Sequence, residues 1–466
     1  MTHPNRLDAA ALAGLPADVA RPRYDLSGVR CGVVHLGLGG FHRAHQAVVF
    51  DRLLNAGHER WGVVSVGVRT AALASRLTAQ DGLYSVLERE GAARRLTVCG
   101  AIRRALVAAD EPAAVEAAIA DPQVQLVTLT ITEKGYDADA AGRPSVWTIL
   151  AEALARRRAA GAPLTIASCD NLTANGARTK DALLGAAPPD LAAWVDAHCA
   201  FPSSMVDRIT PATTEADLDE VATLLGVRDE AAVVTEPFWQ WVIEDRFAGA
   251  RPPLEAAGVQ VTADVAPFER AKLRLLNAAH SALAYAGLLA GFSCVHEAFD
   301  WPPLTALVER LWDEAAATLA PAPGLDIAAY RAALARRFAN PSLAHRLDQI
   351  AEDGSRKLPQ RLLPTLAERC AEGHESPALV FALASWLGCL AGRDRQGRPI
   401  RIVDPALTLL REKLATGLDG FGLMIEAGML APDSPARLAA PALERQLAAI
   451  RDLGMRAALA RLAVPL

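Results

Sequence analysis

The stretch Val33-Val34-His35-Leu36-Gly37-Leu38-Gly39-Gly40 constrains the fold more than any other part of this chain. A β-rich apolar run over 28–36 stops at Gly37. A helical pattern follows over about 43–56, and a second β-rich run covers 61–68. Strand, glycine turn, helix and strand in that order open a parallel α/β sheet, because parallel neighbours need a crossover between them. A Gly-x-Gly turn at the end of a strand also lets the backbone approach a pyrophosphate. The residues of such a cofactor turn are Gly37, Leu38, Gly39, Gly40 and Phe41. The third glycine of the full fingerprint falls at position 42, which is histidine. On chemistry alone a dinucleotide site and a plain tight turn stand level. The second run leads into Gly67-Val68-Arg69-Thr70, without the carboxylate that holds an NAD ribose. Arg69 suits a 2′-phosphate instead, so NAD and NADP carry equal weight at this point.

Further buried-strand patterns occur at 123–132, 163–169 and 231–236, with a helix at 147–160 that ends in three arginines and a glycine stop. From Phe268 onward the period changes to 3.6 and strand-like runs nearly vanish. The expected architecture is α/β: a Rossmann-type N-terminal domain with a mostly parallel sheet over 1–266, then a mostly α-helical C-terminal domain over 267–466.

Several classes are excluded. The net charge is −5 and the basic residues are scattered, so a nucleic-acid partner is not expected. The longest apolar run, 377–392, is about 16 residues, short of the roughly 20 that span a bilayer, so no membrane partner is expected. The seven dispersed cysteines and the polar N-terminal stretch point to a reducing compartment, the cytoplasm. No metalloprotease, hydrolase or P-loop motif occurs, and His35, His42 and His45 lack companion ligands, so no metal is expected.

The segment Pro267 to His280 carries the chemistry. At roughly 100° per residue, with Lys272 at zero, Glu269, His280 and Asn277 fall near 60°, 80° and 140° on one helix face. Such a lysine, shielded from water, exchanges a proton near neutral pH. Asn277 offers an N–H to an oxygen that becomes negative, and His280 orients a hydroxyl. The plain alternative is an amphipathic helix at a domain seam. A second candidate is Ser168-Cys169-Asp170-Asn171, after a strand, where Asp170 or Asn171 equally suits a turn or cap. A third is Asp207 in Met205-Val206-Asp207-Arg208-Ile209. Only five lysines occur, at 134, 180, 272, 357 and 413, so Lys272 stands out in a chain that otherwise uses arginine.

Seven blocks in order, VVHLGLGGFHRAHQAV, LTITEKGY, SCDNLTANG, FPSSMVDRITPAT, EPFWQWVIEDRF, PFERAKLRLLNAAHS and QIAEDGSRKLPQR, resemble the long-chain, metal-independent mannitol dehydrogenase family. The resemblance runs from about residue 22 to beyond 405. It implies an NAD-binding Rossmann-type domain, a helical domain, and a sugar-acid or polyol substrate held between them, in a monomer. It also implies Lys272 as catalytic acid and base, Asn171 and Asn277 as oxyanion donors, and His280 as the group that orients substrate. Glu269 and Asp207 match further substrate-site acids of the family. The segments EKGYDADAA, TADVAPFE, RFANPSLAHR and DGSRKLPQRLL resemble most the branch that interconverts D-fructuronate and D-mannonate. For that substrate Arg356, Lys357 and Arg361 are candidate carboxylate partners, with a basic helix start facing water as the alternative. Mannitol 2-dehydrogenation, another polyol or hexuronate oxidation (tagaturonate, arabinitol), and a non-catalytic NAD and sugar sensor remain as alternatives. Two departures are plain: the stretch after the EKGY block is short, and Gln349 stands near where polyol-oxidising relatives carry arginine.

Overall fold

The first strand, β1 (Val33–Leu36), is buried at every position, which requires a cover on both faces of its sheet. The computed structural model describes residues 6–68, 71–132, 135–136, 145–394 and 396–462, and the chain divides into two compact units, Met1–Ala266 and Pro267–Leu466. The strands of the first unit are β1, β2 (Val63–Gly67), β3 (Tyr84–Glu90), β4 (Ala93–Cys99), β5 (Ile102–Val107) and β6 (Leu126–Leu129). They continue with β7 (Leu164–Ser168), β8 (Cys199–Ala200), β9 (Ser204–Asp207), β10 (Val233–Thr235), β11 (Gln240–Glu244) and β12 (Gln260–Thr262). Six of them form one sheet in the order β5-β2-β1-β6-β7-β8, with every pairing parallel.

The pleat explains the double cover. Val34, Leu36, Val64, Val66, Val127 and Leu129 pack with Trp147, Leu150 and Leu154 of the helix Val146–Ala160. Val33, Val63 and Leu126 point the other way, onto Val49, Phe50, Leu53 and Leu54 of the helix Gln46–Asn55. This is a doubly wound Rossmann-type sheet, as expected. Its order reverses at β1, between β2 and β6, and the glycine turn leaves the carboxyl end of that strand. Ligands of open parallel sheets bind at this switch point.

The β3–β4 hairpin, antiparallel and joined by β10, was not expected. Its outer half carries Glu88-Arg89-Glu90 and Arg94-Arg95, so the strands bury residues only at one end and the alternation is lost. A small sheet β12-β11-β9 also went unread, its strands being short.

The second unit is built on two helices that are apolar all round, Ala278–Ala290 and Pro377–Cys389, which marks them as central. The second of these is the long apolar run. It is 13 residues long, and no helix among the described residues is long and apolar enough to cross a membrane. Ser376 has the residue type of its N-cap, yet its hydroxyl instead accepts from Arg369 Nε at 2.7 Å. The cap is supplied from another helix. Glu314 accepts the backbone N–H groups of Ala378 and Leu379 at 2.8 and 2.9 Å. Burial pushes this carboxyl up to about 7, against those two N–H groups and nearby Arg369 and Arg310, which favour the carboxylate. The folded state therefore holds the proton more tightly than the unfolded chain. That contribution to stability is fully present below about pH 4.5 and is lost as pH rises through about 7. Melting measured from pH 5 to 8 should fall with pH in the wild type by on the order of 3 kcal/mol from this group. Glu314→Gln should flatten the profile; an unchanged slope would refute the assignment.

Candidate active site

Gly37 leaves β1 with φ of 120°, where a side chain is strained, and a Cβ there would lie 2.1 Å from the carbonyl oxygen of Thr130 at the end of β6. The first glycine is thus fixed by its backbone. Gly39 differs, since among the described residues a Cβ on it would meet nothing closer than the carbonyl of Gly37 at 3.9 Å. The turn presents bare backbone to open space, which is the cradle a pyrophosphate needs. The expected helix over 43–56 is two helices, Gly40–Ala44 and Gln46–Asn55, broken at His45.

The missing third glycine has a physical explanation. His42 is fully buried, its Nε2 lies 2.8 Å from Ser65 Oγ of β2, and its ring stacks on His35 at 3.5 Å. His35 Nε2 in turn lies 2.8 Å from Thr130 Oγ1 and 3.2 Å from the Gly37 carbonyl. Burial pushes His35 down to about 3 and holds His42 well below its ordinary range. These neutral histidines are the floor of the turn. Among the described residues no three His, Cys, Asp or Glu side chains are grouped to hold a metal. Arg69 lies outside the described residues.

Asn171 is exposed on the loop after β7, at the carboxyl edge of the sheet. That loop is bolted down by its neighbours. Asp170 is buried and accepts from the backbone N–H of Thr132 at 2.8 Å and from Tyr136 at 3.1 Å, so it acts as a brace. Asn175, fully buried, donates to the carbonyls of Asp170 and Ser204 and accepts from the Ser204 N–H at 2.9 Å. Asp207 is buried at the end of β9.

In the second unit Glu269, Asn277 and His280 are buried and Lys272 is half-buried. The helix that bears them is not uniform. Residues Lys272–Asn277 form a π-helix between the α-helices Ala266–Ala271 and Ala278–Ala290. The expected 140° between Lys272 and Asn277 presumed α-geometry. A π turn closes i to i+5, so these two residues are drawn toward one face. The distortion is held from outside. Arg274 binds Glu368 at 2.5 and 2.6 Å and Thr318 Oγ1 at 2.6 Å, and the Leu275 carbonyl accepts from Trp312 Nε1 at 3.0 Å. Asn277 Nδ2 and His280 Nε2 are buried with no hydrogen-bond partner among the described residues. Buried polar atoms are rarely left so, and when they are they mark a place for water or ligand. His280 is held well below its ordinary range by burial, then by neighbouring His345 and the charges of Arg337, Arg361 and Lys272.

The basic segment is divided by its helix, Gly354–Arg361. Arg361 donates to Ser281 Oγ at 3.2 Å, next to His280, and Lys357 on the same face donates to the Ile350 carbonyl at 3.4 Å. Arg356 points elsewhere and is exposed. Backbone strain follows the motif blocks. Among the described residues the non-glycine residues with positive φ are Asp81, Thr132, Ala174, Ala344 and Asp353; Thr132, Ala174 and Asp353 lie in those blocks and Ala344 in the RFANPSLAHR segment. Strain of this kind gathers at functional sites.

A glycine turn at the switch point of a doubly wound sheet, followed by a helical unit with lysine, asparagine and histidine on one face, defines the class: a Rossmann-type protein with a separate helical unit. Residues 31–256 match the mannitol dehydrogenase Rossmann domain and 264–427 the mannitol dehydrogenase C-terminal domain; the chain belongs to the mannitol dehydrogenase family. It is 41% identical to D-mannonate oxidoreductase of Escherichia coli over 417 residues, covering 84% of this chain and 86% of that one. It is 40% identical to mannitol 2-dehydrogenase of Pyricularia oryzae over 428 residues, 85% of each. The structure of Pseudomonas fluorescens mannitol 2-dehydrogenase, a ternary complex with NAD and D-mannitol, superposes with a TM-score of 0.84 at 36% identity, over 98% of this chain and 99% of that one.

Proposed function

We propose that this protein is an NAD-dependent oxidoreductase that interconverts D-fructuronate and D-mannonate, with residues 1–266 binding the cofactor and 267–466 carrying the catalytic lysine. The oxidoreductase reading rests on the pair of buried, unpartnered nitrogens, Asn277 Nδ2 and His280 Nε2, on the helix of Lys272. Kinship with polyol and sugar-acid dehydrogenases supports it. NAD is favoured because the related ternary complex contains it, and the open turn at Gly39 suits a dinucleotide's pyrophosphate.

Bound NADH supplies the hydride. As negative charge grows on the substrate oxygen, the amides of Asn171 and Asn277 donate to it and Lys272 Nζ delivers the proton. In the reverse direction a neutral Lys272 takes the proton from the hydroxyl. Glu269, three residues before Lys272, exchanges that proton with water, Asp207 accepts from substrate hydroxyls, and neutral His280 orients one. A sugar acid is preferred over a neutral polyol because Arg337, Arg361 and Lys272 all act on His280, a cationic surround suited to a carboxylate. Lys357 and Arg361 are the inward-facing partners; Arg356, being exposed, contributes least.

The test is a spectrophotometric panel that follows NADH and NADPH consumption with fructuronate, tagaturonate and fructose, and the reverse reaction with mannonate, mannitol and arabinitol. The reading requires fructuronate with NADH to give the highest kcat/KM. A preference for fructose would move the assignment to a mannitol 2-dehydrogenase. The cofactor turn has its own prediction. Gly39→Ala should melt like the wild type, since the added methyl meets only open space, yet bind NADH at least about tenfold more weakly because it blocks the pyrophosphate's approach. Unchanged NADH affinity by fluorescence titration would remove the turn from the cofactor site.

A further inference from the structure

Apart from the charge of Arg337, the block Arg337 to His345 has no part in the mechanism above, yet it is bent and anchored as functional loops are. After the helix Ile327–Phe338, Asn340 caps a single turn at Pro341–Leu343, and Ala344 then takes a left-handed conformation with φ of 43°. An alanine there is strained, and the strain persists only where the surroundings impose it. They do so through the next residue. The His345 carbonyl accepts from the Val295 N–H at 2.9 Å, and Leu347 N–H donates to the Ser293 carbonyl at 2.9 Å.

The outcome is a second imidazole against the first. The His345 ring stands edge-on to that of His280, with centroids 5.1 Å apart and planes at 87°, while Phe338 packs on His280 at 4.8 Å. His345 Nδ1 is buried without a hydrogen-bond partner among the described residues, and so is His280 Nε2. Two unsatisfied ring nitrogens in one place are costly for a packing role, which an apolar side chain would fill without loss. Burial and the charge of Arg337 push His345 down to about 4, so each ring is neutral and offers one N–H and one lone pair. Neutral rings of this kind suit hydroxyl groups, which donate and accept at once.

We propose that His345 is a substrate-binding residue that, together with His280, holds neighbouring hydroxyl groups of an open-chain polyhydroxy substrate and so helps to select which one is turned over. This rests on the reading of His280 as substrate-facing, not on the choice of mannonate. The test compares wild type, His345→Leu and His345→Gln on the panel substrate that the wild type prefers, and on deoxy analogues lacking one hydroxyl beside the reacting carbon. Expected is a roughly 10- to 100-fold rise in KM for His345→Leu with a much smaller change in kcat, partly recovered in His345→Gln. On the analogue that lacks the partner hydroxyl, wild type and His345→Leu should differ by less than about threefold. NADH affinity and melting temperature serve as controls for folding. An unchanged KM in His345→Leu, or an equal loss on every deoxy analogue, would overturn the proposal. A wild-type preference for mannitol would sink the mannonate reading alone, since the comparison is then made on mannitol and its deoxy forms. Without turnover, calorimetric binding of the same compounds to the NADH-loaded protein reads the same contrast.

Discussion

Lys272→Ala is expected to lower kcat by about 10²–10⁴-fold in both directions while NADH affinity stays within about twofold. The first half follows from the loss of the only group on that helix face able to give and take a proton with an ammonium's strength. The second follows from position, since Lys272 lies in the helical unit and the glycine turn in the other. Lys272→Arg should be nearly as inactive as the alanine variant. A guanidinium keeps the positive charge but does not release its proton in the pH range of catalysis. That contrast separates acid–base chemistry from simple electrostatic attraction, which arginine would preserve. Single-turnover absorbance measurements with saturating NADH check it. Wild-type rates in either variant would end the proposed mechanism, and loss of NADH binding would instead point to a misfolded helix.

The helix of Lys272 was legible because helical spacing is a local property: three or four positions within fourteen residues suffice to place Glu269, Lys272, Asn277 and His280 together. Its π segment was not, because the causes lie far along the chain, in Glu368, Thr318 and Trp312. The doubly wound sheet was legible through its central strands, which are buried on both faces and read as unbroken apolar runs. The hairpin of β3 and β4 was hidden by charges at its outer end. Asn171 is the opposite case. Its place after a strand marked the segment, but nothing near it distinguishes an oxyanion donor from a turn residue, and only the resemblance gave it the donor's role. Asn175 fixes that loop to Ser204, and Gly176 beside it is packed so closely that a Cβ would lie 2.5 Å from the Phe201 carbonyl. Side chains that act through the backbone of a distant segment leave no periodic trace.

Asn277→Leu should separate function from stability in the second large effect. If Nδ2 donates to the developing oxyanion, its removal costs about 10²–10³-fold in kcat, the loss typical of one preorganised donor. Asn277→Asp should lose at least as much, because it sets a carboxylate where negative charge grows. The loss in the leucine variant should not come from unfolding. Asn277 is buried, and Nδ2 has no protein partner among the described residues. Leucine, with the same branched shape, therefore removes an unsatisfied donor from the interior, a change worth about 1–3 kcal/mol in favour of the folded state. The variant is expected to melt at or above the wild-type temperature while turning over far more slowly. Such a trade is the signature of a residue kept for the transition state at the expense of the fold. Melting curves and kcat on the same preparations decide it. A fall in melting temperature with kcat retained would mean that Asn277 serves packing alone, and that the oxyanion must find its donors elsewhere.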